Sequence, residues 1–165
     1  MSVAEFGTFN PPFTGGFHLG ARWKGLTVEA LFSFAQGFKR FNNEDYFNVN
    51  PSFATSNQGT DWLRRWRKPG DITDVPSTSD PRRFNSKDIQ DASYLRFRNL
   101  NMSYDLPASL LERTKLFSQV QVYVQAQNIL TITSWKGFDP EDNNNIGLFE
   151  YPAARTFTAG LRLNF

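Results

Sequence analysis

The sequence predicts an all-β chain, an antiparallel transmembrane β-barrel segment of about five long strands with long extracellular loops. Three observations lead there. Residues 155–165 alternate strictly: Phe157, Ala159, Leu161, Leu163 and Phe165 take every second position, with Thr156, Thr158, Gly160, Arg162 and Asn164 between them, so one face of a strand is apolar and the other polar. At about 3.3 Å per residue and a tilt near 45°, this stretch rises roughly 25 Å, the height of the apolar band of an outer-membrane barrel. The connections are also unequal. A tight turn at Lys24-Gly25 contrasts with a patternless stretch of more than fifty residues after Gly37. So long a loop counts against a compact soluble domain, whereas barrels pair short periplasmic turns with long external loops. Finally, Gln119, Gln121, Gln125 and Gln127, with Tyr123, lie opposite Val120, Val122, Val124 and Ala126. A wet lumen satisfies a row of amides more readily than a dry core does.

Composition sets the bounds. The 165 residues are one domain's length, and 39% hydrophobic content, a mean hydropathy of −0.49 and the lack of any run of eighteen apolar residues exclude a bundle of membrane helices. Alternating strands and polar loops dilute hydropathy in a barrel, so these values do not exclude one. Aromatic content is 16%, including seventeen Phe. With no Cys there is no disulfide framework, thiolate nucleophile or Cys-based zinc site. A net charge of +2 is too small to imply nucleic acid as a partner. The first residues carry no basic n-region and no apolar h-region, so an outer-membrane protein with this sequence is expected to be the C-terminal piece of a longer chain.

Residues 1–15 are rich in Gly, Pro and Phe, and Pro11-Pro12 removes two backbone donors, which reads as a loop. From Gly16, Phe17, Leu19, Ala21 and Trp23 alternate with His18, Gly20, Arg22 and Lys24. A second strand follows the turn at once, with Leu26, Val28, Ala30, Phe32 and Phe34 on its apolar face and Leu31 as the one apolar exception opposite. The two make a hairpin. In the long loop, Tyr46, Phe47, Trp62 and Trp66 offer local packing or a short helix. Residues 92–104 form a third strand whose apolar set changes parity, from Leu95 and Phe97 to Leu100, Met102 and Tyr104, which predicts a β-bulge near Arg98-Asn99. Pro107 is placed to open a helical turn over residues 108–113. A fourth strand spans residues 119–132, a second external loop residues 134–154, and the terminal strand residues 155–165. Five alternating directions leave the C-terminus on the periplasmic side.

Several stretches, taken in order, resemble the C-terminal end of SusC/RagA-type TonB-dependent outer-membrane transporters: Y-L-R-F-R-N-L-N-M-S-Y-D-L-P (94–107), V-Y-V-Q-A-Q-N-I-L-T (122–131), G-F-D-P-E (137–141) and Y-P-A-A-R-T-F-T-A-G-L-R-L-N-F (151–165), together with the hairpin at 15–26. The resemblance implies an energised importer of oligosaccharides or peptides with a plugged barrel of about 22 strands. It makes residues 1–165 one C-terminal segment of that barrel, its last strands, without the signal peptide or the plug. It also implies partners: a SusD-like surface lipoprotein, the TonB complex acting through the N-terminal part, outer-membrane lipid, and the barrel-assembly machinery, which would read the terminal aromatic Phe165.

No catalytic constellation is visible, and neither an enzyme activity nor a cofactor is expected. His18 stands alone mid-strand. D-P-E-D-N-N-N (139–145) lacks the spacing of a calcium loop, so no metal is expected. Candidate ligand contacts in the external loops are Trp62, Trp66, Arg64, Trp135 and Phe138, because aromatic faces and guanidinium groups suit stacking and polar recognition. The plainer account has Arg64, Arg65, Arg67 and Lys68 meeting lipid phosphates, with Trp135 and Phe138 in an aromatic girdle. Asn101-Met102-Ser103 matches a glycosylation acceptor by chance. Two alternatives remain at this level: a soluble all-β carbohydrate-binding module, and a small independent outer-membrane barrel.

Overall fold

A computed structural model describes residues 6–53, 55–80, 82–112, 116–142 and 144–165. Its elements are, in order, β1 (Phe13–Trp23), β2 (Leu26–Gln36), β3 (Lys39–Phe41), α1 (Asn43–Asn48), β4 (Ile89–Asp91), β5 (Tyr94–Asp105), α2 (Ala108–Leu111), β6 (Gln119–Thr133) and β7 (Thr156–Asn164), with three short 3-10 turns between α1 and β4. They belong to two compact units. None of the described helices is long and apolar enough to cross a membrane, which says nothing of strands.

The first unit is one antiparallel sheet in the order β1-β2-β5-β6-β7. Its register sets the apolar residues abreast: Trp23, Leu26, Tyr104, Val122 and Leu161 form one row, and Ala21, Val28, Met102, Val124 and Ala159 the next. Leu19, Ala30, Leu100, Ala126 and Phe157 form a third. Phe17, Phe32 and Phe97 then stack across three strands, with ring centroids 4.8 and 4.5 Å apart. Among the described residues of this unit there is no second sheet to cover this face. Trp23 is 69% and Phe157 71% exposed, which removes the sandwich core that a soluble module would need.

The opposite face is polar and bonded strand to strand. Asn164 donates to Gln119 Oε1 at 3.0 Å, Gln121 donates to Asp105 Oδ1 at 2.9 Å, and Asp105 lies 3.7 Å from the Arg22 guanidinium. Lys24 and Gly25 adopt φ of 46° and 87°, the pair of positive values a two-residue type I′ turn requires. Strand β1 starts three residues earlier than the loop read over residues 1–15 allows. Phe13, Thr14 and Gly15 pair with Gln36, Ala35 and Phe34. Gly15 hid this pairing because it shows no side chain to the pattern, and the Phe34 ring fills the space where a Gly15 Cβ would sit. Residues 1–5 lie outside the described set, as do residues 113–115 at the end of the expected helical turn.

The parity change in β5 is a register shift between Phe97 and Asn99, felt by both neighbouring strands. Arg98 is the extra residue, and its Nε donates to Ser33 Oγ at 2.8 Å. On the β6 side the shift is taken up beside Asn128, whose φ of 52° is a left-handed value that Asn tolerates.

The second unit gathers residues 6–12, 37–93 and 134–152. Here β3 and β4 form a two-stranded ladder and Phe41 bridges to Ile146. The sequence pattern missed this small sheet, because three-residue strands are too short to show a period. Its centre is mostly polar: Arg40, Asn42, Glu44, Asn50, Arg82 and Asp88 are buried beside Phe38, Val49, Val75, Ala92 and Trp135. Asn42 caps α1 by accepting from Asp45 N at 2.9 Å, and its own N–H reaches Asp88 O at 2.6 Å. Asn85 and Asp88 cap a 3-10 turn reciprocally. Arg82 then pairs with Asp88, and with Asp45 at 3.1 Å. Tyr46 and Phe84 stack beside them at 3.9 Å.

Deleting Arg98, the extra residue of the bulge, leaves Leu95, Phe97, Leu100, Met102 and Tyr104 in strict alternation, so the apolar face is expected to survive and the cost to be about 1 kcal/mol, the Arg98–Ser33 hydrogen bond. Urea unfolding of the full-length receptor in lipid vesicles should show a slightly lowered midpoint with the folded fraction retained.

Candidate functional site

The sequence-derived contact residues lie in the loop unit, and two buried charges organise the segment that carries two of them. Arg40 is 2% exposed at the middle of β3. Its Nε donates to Asn144 O at 2.6 Å, one terminal nitrogen to Asp139 O at 2.8 Å and the other to Asp142 Oδ2 at 2.6 Å. Glu44, in the first turn of α1, accepts from Phe138 N on Oε2 at 3.1 Å and from Phe149 N on Oε1 at 3.0 Å. Residues 137–142 and 144–149 are thus held by a cation and an anion. Gly137 is needed there, since a Cβ would fall 2.8 Å from Glu44 Oε2. The D-P-E-D stretch spends its oxygens internally: Asp139 accepts from Glu141 N at 3.0 Å, and Asp142 from Asn144 N at 3.1 Å as well as from Arg40. Asn143 lies outside the described residues. Among those described, no three metal-ligating side chains converge.

Trp135 is only 6% exposed, with its ring 5.0 Å from the Arg40 guanidinium. It therefore packs inside this unit. Phe138 is 57% exposed, sits beside Phe149 and lines a recess of 250 Å³ with Glu44, Asp61 and Lys136. Trp62 is half-buried under Arg65, 5.3 Å from its guanidinium. Arg64 is held outward by Asp61 at 3.2 Å and Asp74 at 3.3 Å. Trp66 is anchored through its backbone N–H to Val75 O at 3.0 Å and lines a larger cleft of 640 Å³. The five candidates accordingly do not converge on one site. Within the cluster at 62–68, Arg64 is ion-paired, the Arg67 guanidinium donates to Leu63 O at 3.1 Å, and the Lys68 backbone N–H donates to Asp71 Oδ2 at 3.1 Å. On the polar face of the sheet, His18 shares a recess of 140 Å³ with Glu29, Asn99 and Asn101. Sequence reading passed over Arg40, Glu44 and Arg82; the one visible signal, for the two arginines, is a basic pair set between aromatic or proline neighbours, F-K-R-F and P-R-R-F.

No family model matches the chain. It is 36% identical over 168 residues to TonB-dependent receptor P3 of Formosa agariphila, an alignment covering 94% of this chain and 16% of that relative. Among solved structures, the RagAB peptide importer in its closed-closed state matches with a TM-score of 0.86 at 38% identity, over 98% of this chain and 18% of that one. This chain belongs to the SusC/RagA-type TonB-dependent receptors. Part of it, 79 residues or 47% of the chain, is also 38% identical to TonB-dependent receptor SusC of Bacteroides thetaiotaomicron, covering 8% of that relative. The receptor segment spans about a sixth of the length of P3 and of the RagAB chain it matches.

In this receptor segment Asp74 titrates below the ordinary value of 3.8: partial burial pushes the carboxyl upward, but Lys87, Arg64 and a backbone hydrogen bond together outweigh it. A depressed carboxyl stabilises the folded state above its unfolded value, and that stabilisation is lost as pH falls through the lowered folded value. An NMR titration of the Asp74 carboxyl should give a midpoint under 3.8, and Lys87→Met should raise it. Glu44→Gln removes the charge from two backbone hydrogen bonds. It is expected to cost about 2 kcal/mol locally, so exchange of the Phe138 and Phe149 amides should accelerate roughly thirtyfold.

Proposed function

We propose that this segment works in the outer membrane of a Gram-negative bacterium as the C-terminal wall and part of the external loops of a TonB-linked importer of oligosaccharides or peptides. The observation that carries this reading is the 38% identity to the RagAB peptide importer over 98% of the chain, sheet and loops together. The uncovered apolar face of the sheet supports it, since lipid is the solvent such a face suits. The polar face then lines the lumen. In this role the whole of residues 1–165 acts as one barrel segment, and a plug elsewhere in the receptor takes the energy input from the TonB complex. A SusD-like lipoprotein delivers solute above the loops, where exposed Trp66 and Phe138, with Trp62 and Arg64 nearby in sequence, are the contacts offered. Phe165, 82% exposed, is read by the barrel-assembly machinery as the end signal.

Cells producing the full-length receptor test this. Removing residues 156–165 should abolish the heat-modifiable folded band and solute uptake together, while Phe165→Ala should lower the assembled fraction. Trp66→Ala should leave assembly unchanged and raise the half-saturating solute concentration about tenfold, the worth of one stacked ring. Normal assembly and uptake after loss of residues 156–165 would sink the reading.

A further inference from the structure

Glu29 stands apart on the polar face of the sheet. Asp105, the other carboxylate there, lies 3.7 Å from Arg22, whereas Glu29 has no ion-pair partner among the described residues. The cation nearest in register, Arg22, sits diagonally across from Glu29 and turns to Asp105 instead, so that pair cancels and the Glu29 charge remains. Abreast of Glu29 stand Gly20 on β1 and Asn101 on β5, followed by Gln125 and Thr158, all neutral. Glu29 and Asn101 are exposed, and with His18 they line a recess of 140 Å³. Gly20 opens it. Of the four glycines in the strands of this sheet, Gly15, Gly16 and Gly160 have the space beside the backbone filled, by the Phe34 ring, the Phe32 carbonyl and the Tyr123 ring. At Gly20 a Cβ would meet only His18 Cε1, at 3.4 Å. A strand glycine weakens the sheet, and one whose space no neighbour takes marks a place where something else approaches closely.

We propose that this recess seats the protonated amino group of a solute, an inference that rests on the reading that the polar face lines the lumen of an importer. One ammonium hydrogen goes to the Glu29 carboxylate and one to Asn101 Oδ1, while the bare backbone of Gly20 lets the group come down against the strand. The third hydrogen points to water. One carboxylate among neutral amides matches a monocation, whereas a divalent metal ion would keep half its charge uncompensated, and among the described residues no three metal-ligating side chains converge. The volume is close to the roughly 150 Å³ that holds a benzene molecule, so it admits an amino group with its first carbons and no more. The seat therefore reads the amine and leaves the rest of the solute in the lumen. A peptide N-terminus and an amino sugar share this chemistry.

Equilibrium dialysis of the purified full-length receptor in detergent micelles tests the seat, with glycinamide standing for a peptide end and glucosamine for an amino sugar. Their N-acetyl derivatives are the neutral counterparts. Either amine should bind saturably, the tighter naming the source, and acetylation should weaken binding at least about tenfold. Glu29→Gln should abolish the preference for the amine. Gly20→Val changes no charge and suits a strand, yet it fills the recess, and it should weaken amine binding about tenfold. Both variants should keep the heat-modifiable folded band. No saturable binding of either amine, equal binding of the acetylated compounds, or displacement of the amine by equimolar magnesium would each overturn the seat. So would amine binding unaltered in either variant, the result expected where a basic side chain from elsewhere in the receptor already covers Glu29. All of these are read on purified receptor, so none touches the import reading, which stands or falls on assembly and uptake in cells.

Discussion

Strand register is the constraint on which the rest of this structure depends. Because side chains alternate at every residue, five strands can share one apolar face only if each pairing is held in phase along eleven or more residues in β1, β2, β5 and β6. The rows running from Trp23 to Leu161 and from Ala21 to Ala159 show that the phase is kept across all five strands. Where the covalent sequence drifts out of phase, at the extra residue Arg98, a bulge absorbs it and restores the phase. The polar face follows from the same register, since glutamines on β6 can reach Asp105 and Asn164 only when the apolar partners behind them are aligned.

The loop unit obeys a different economy. Its rings gather around Tyr46 and Phe47, and single buried charges hold far-separated stretches of chain together. Arg40 joins β3 to a segment about a hundred residues later, and Glu44 does the same from α1. Breaking one member of such a set leaves the other charge buried and uncompensated, a much larger penalty than losing an exposed pair. Each anchor therefore acts as a fixed point, and Phe138 owes its position to Glu44 rather than to a regular element, whereas Trp66 is held by a backbone bond to Val75.

This division explains what could be read in advance. The four long strands, the hairpin turn, the bulge and the terminal strand were legible because a period of two leaves a mark on composition at every residue. Gly15 blurred one boundary by having no side chain to report. The small β3-β4 sheet and the buried ions were not legible, since a buried Arg looks in sequence like a solvated one and its partner lies far along the chain. The same limit applied to the site. An exposed aromatic such as Trp66 announces itself by type, whereas Trp135, of the same type, is packed under Arg40, and nothing local distinguishes the two. Arg82 and Arg83 are adjacent and chemically identical, yet one is buried in ion pairs and the other is exposed.

The two outer strands, β1 and β7, each have a neighbour on one side alone among the described residues. Each free margin is a row of backbone donors and acceptors with the spacing of the next strand already written into it. Nothing in the sheet itself terminates growth. Severed from a closed wall, such a piece has two reactive ends and one sticky face, and it is a repeat unit in the polymer chemist's sense: copies would add edge to edge until solvent or concentration stopped them.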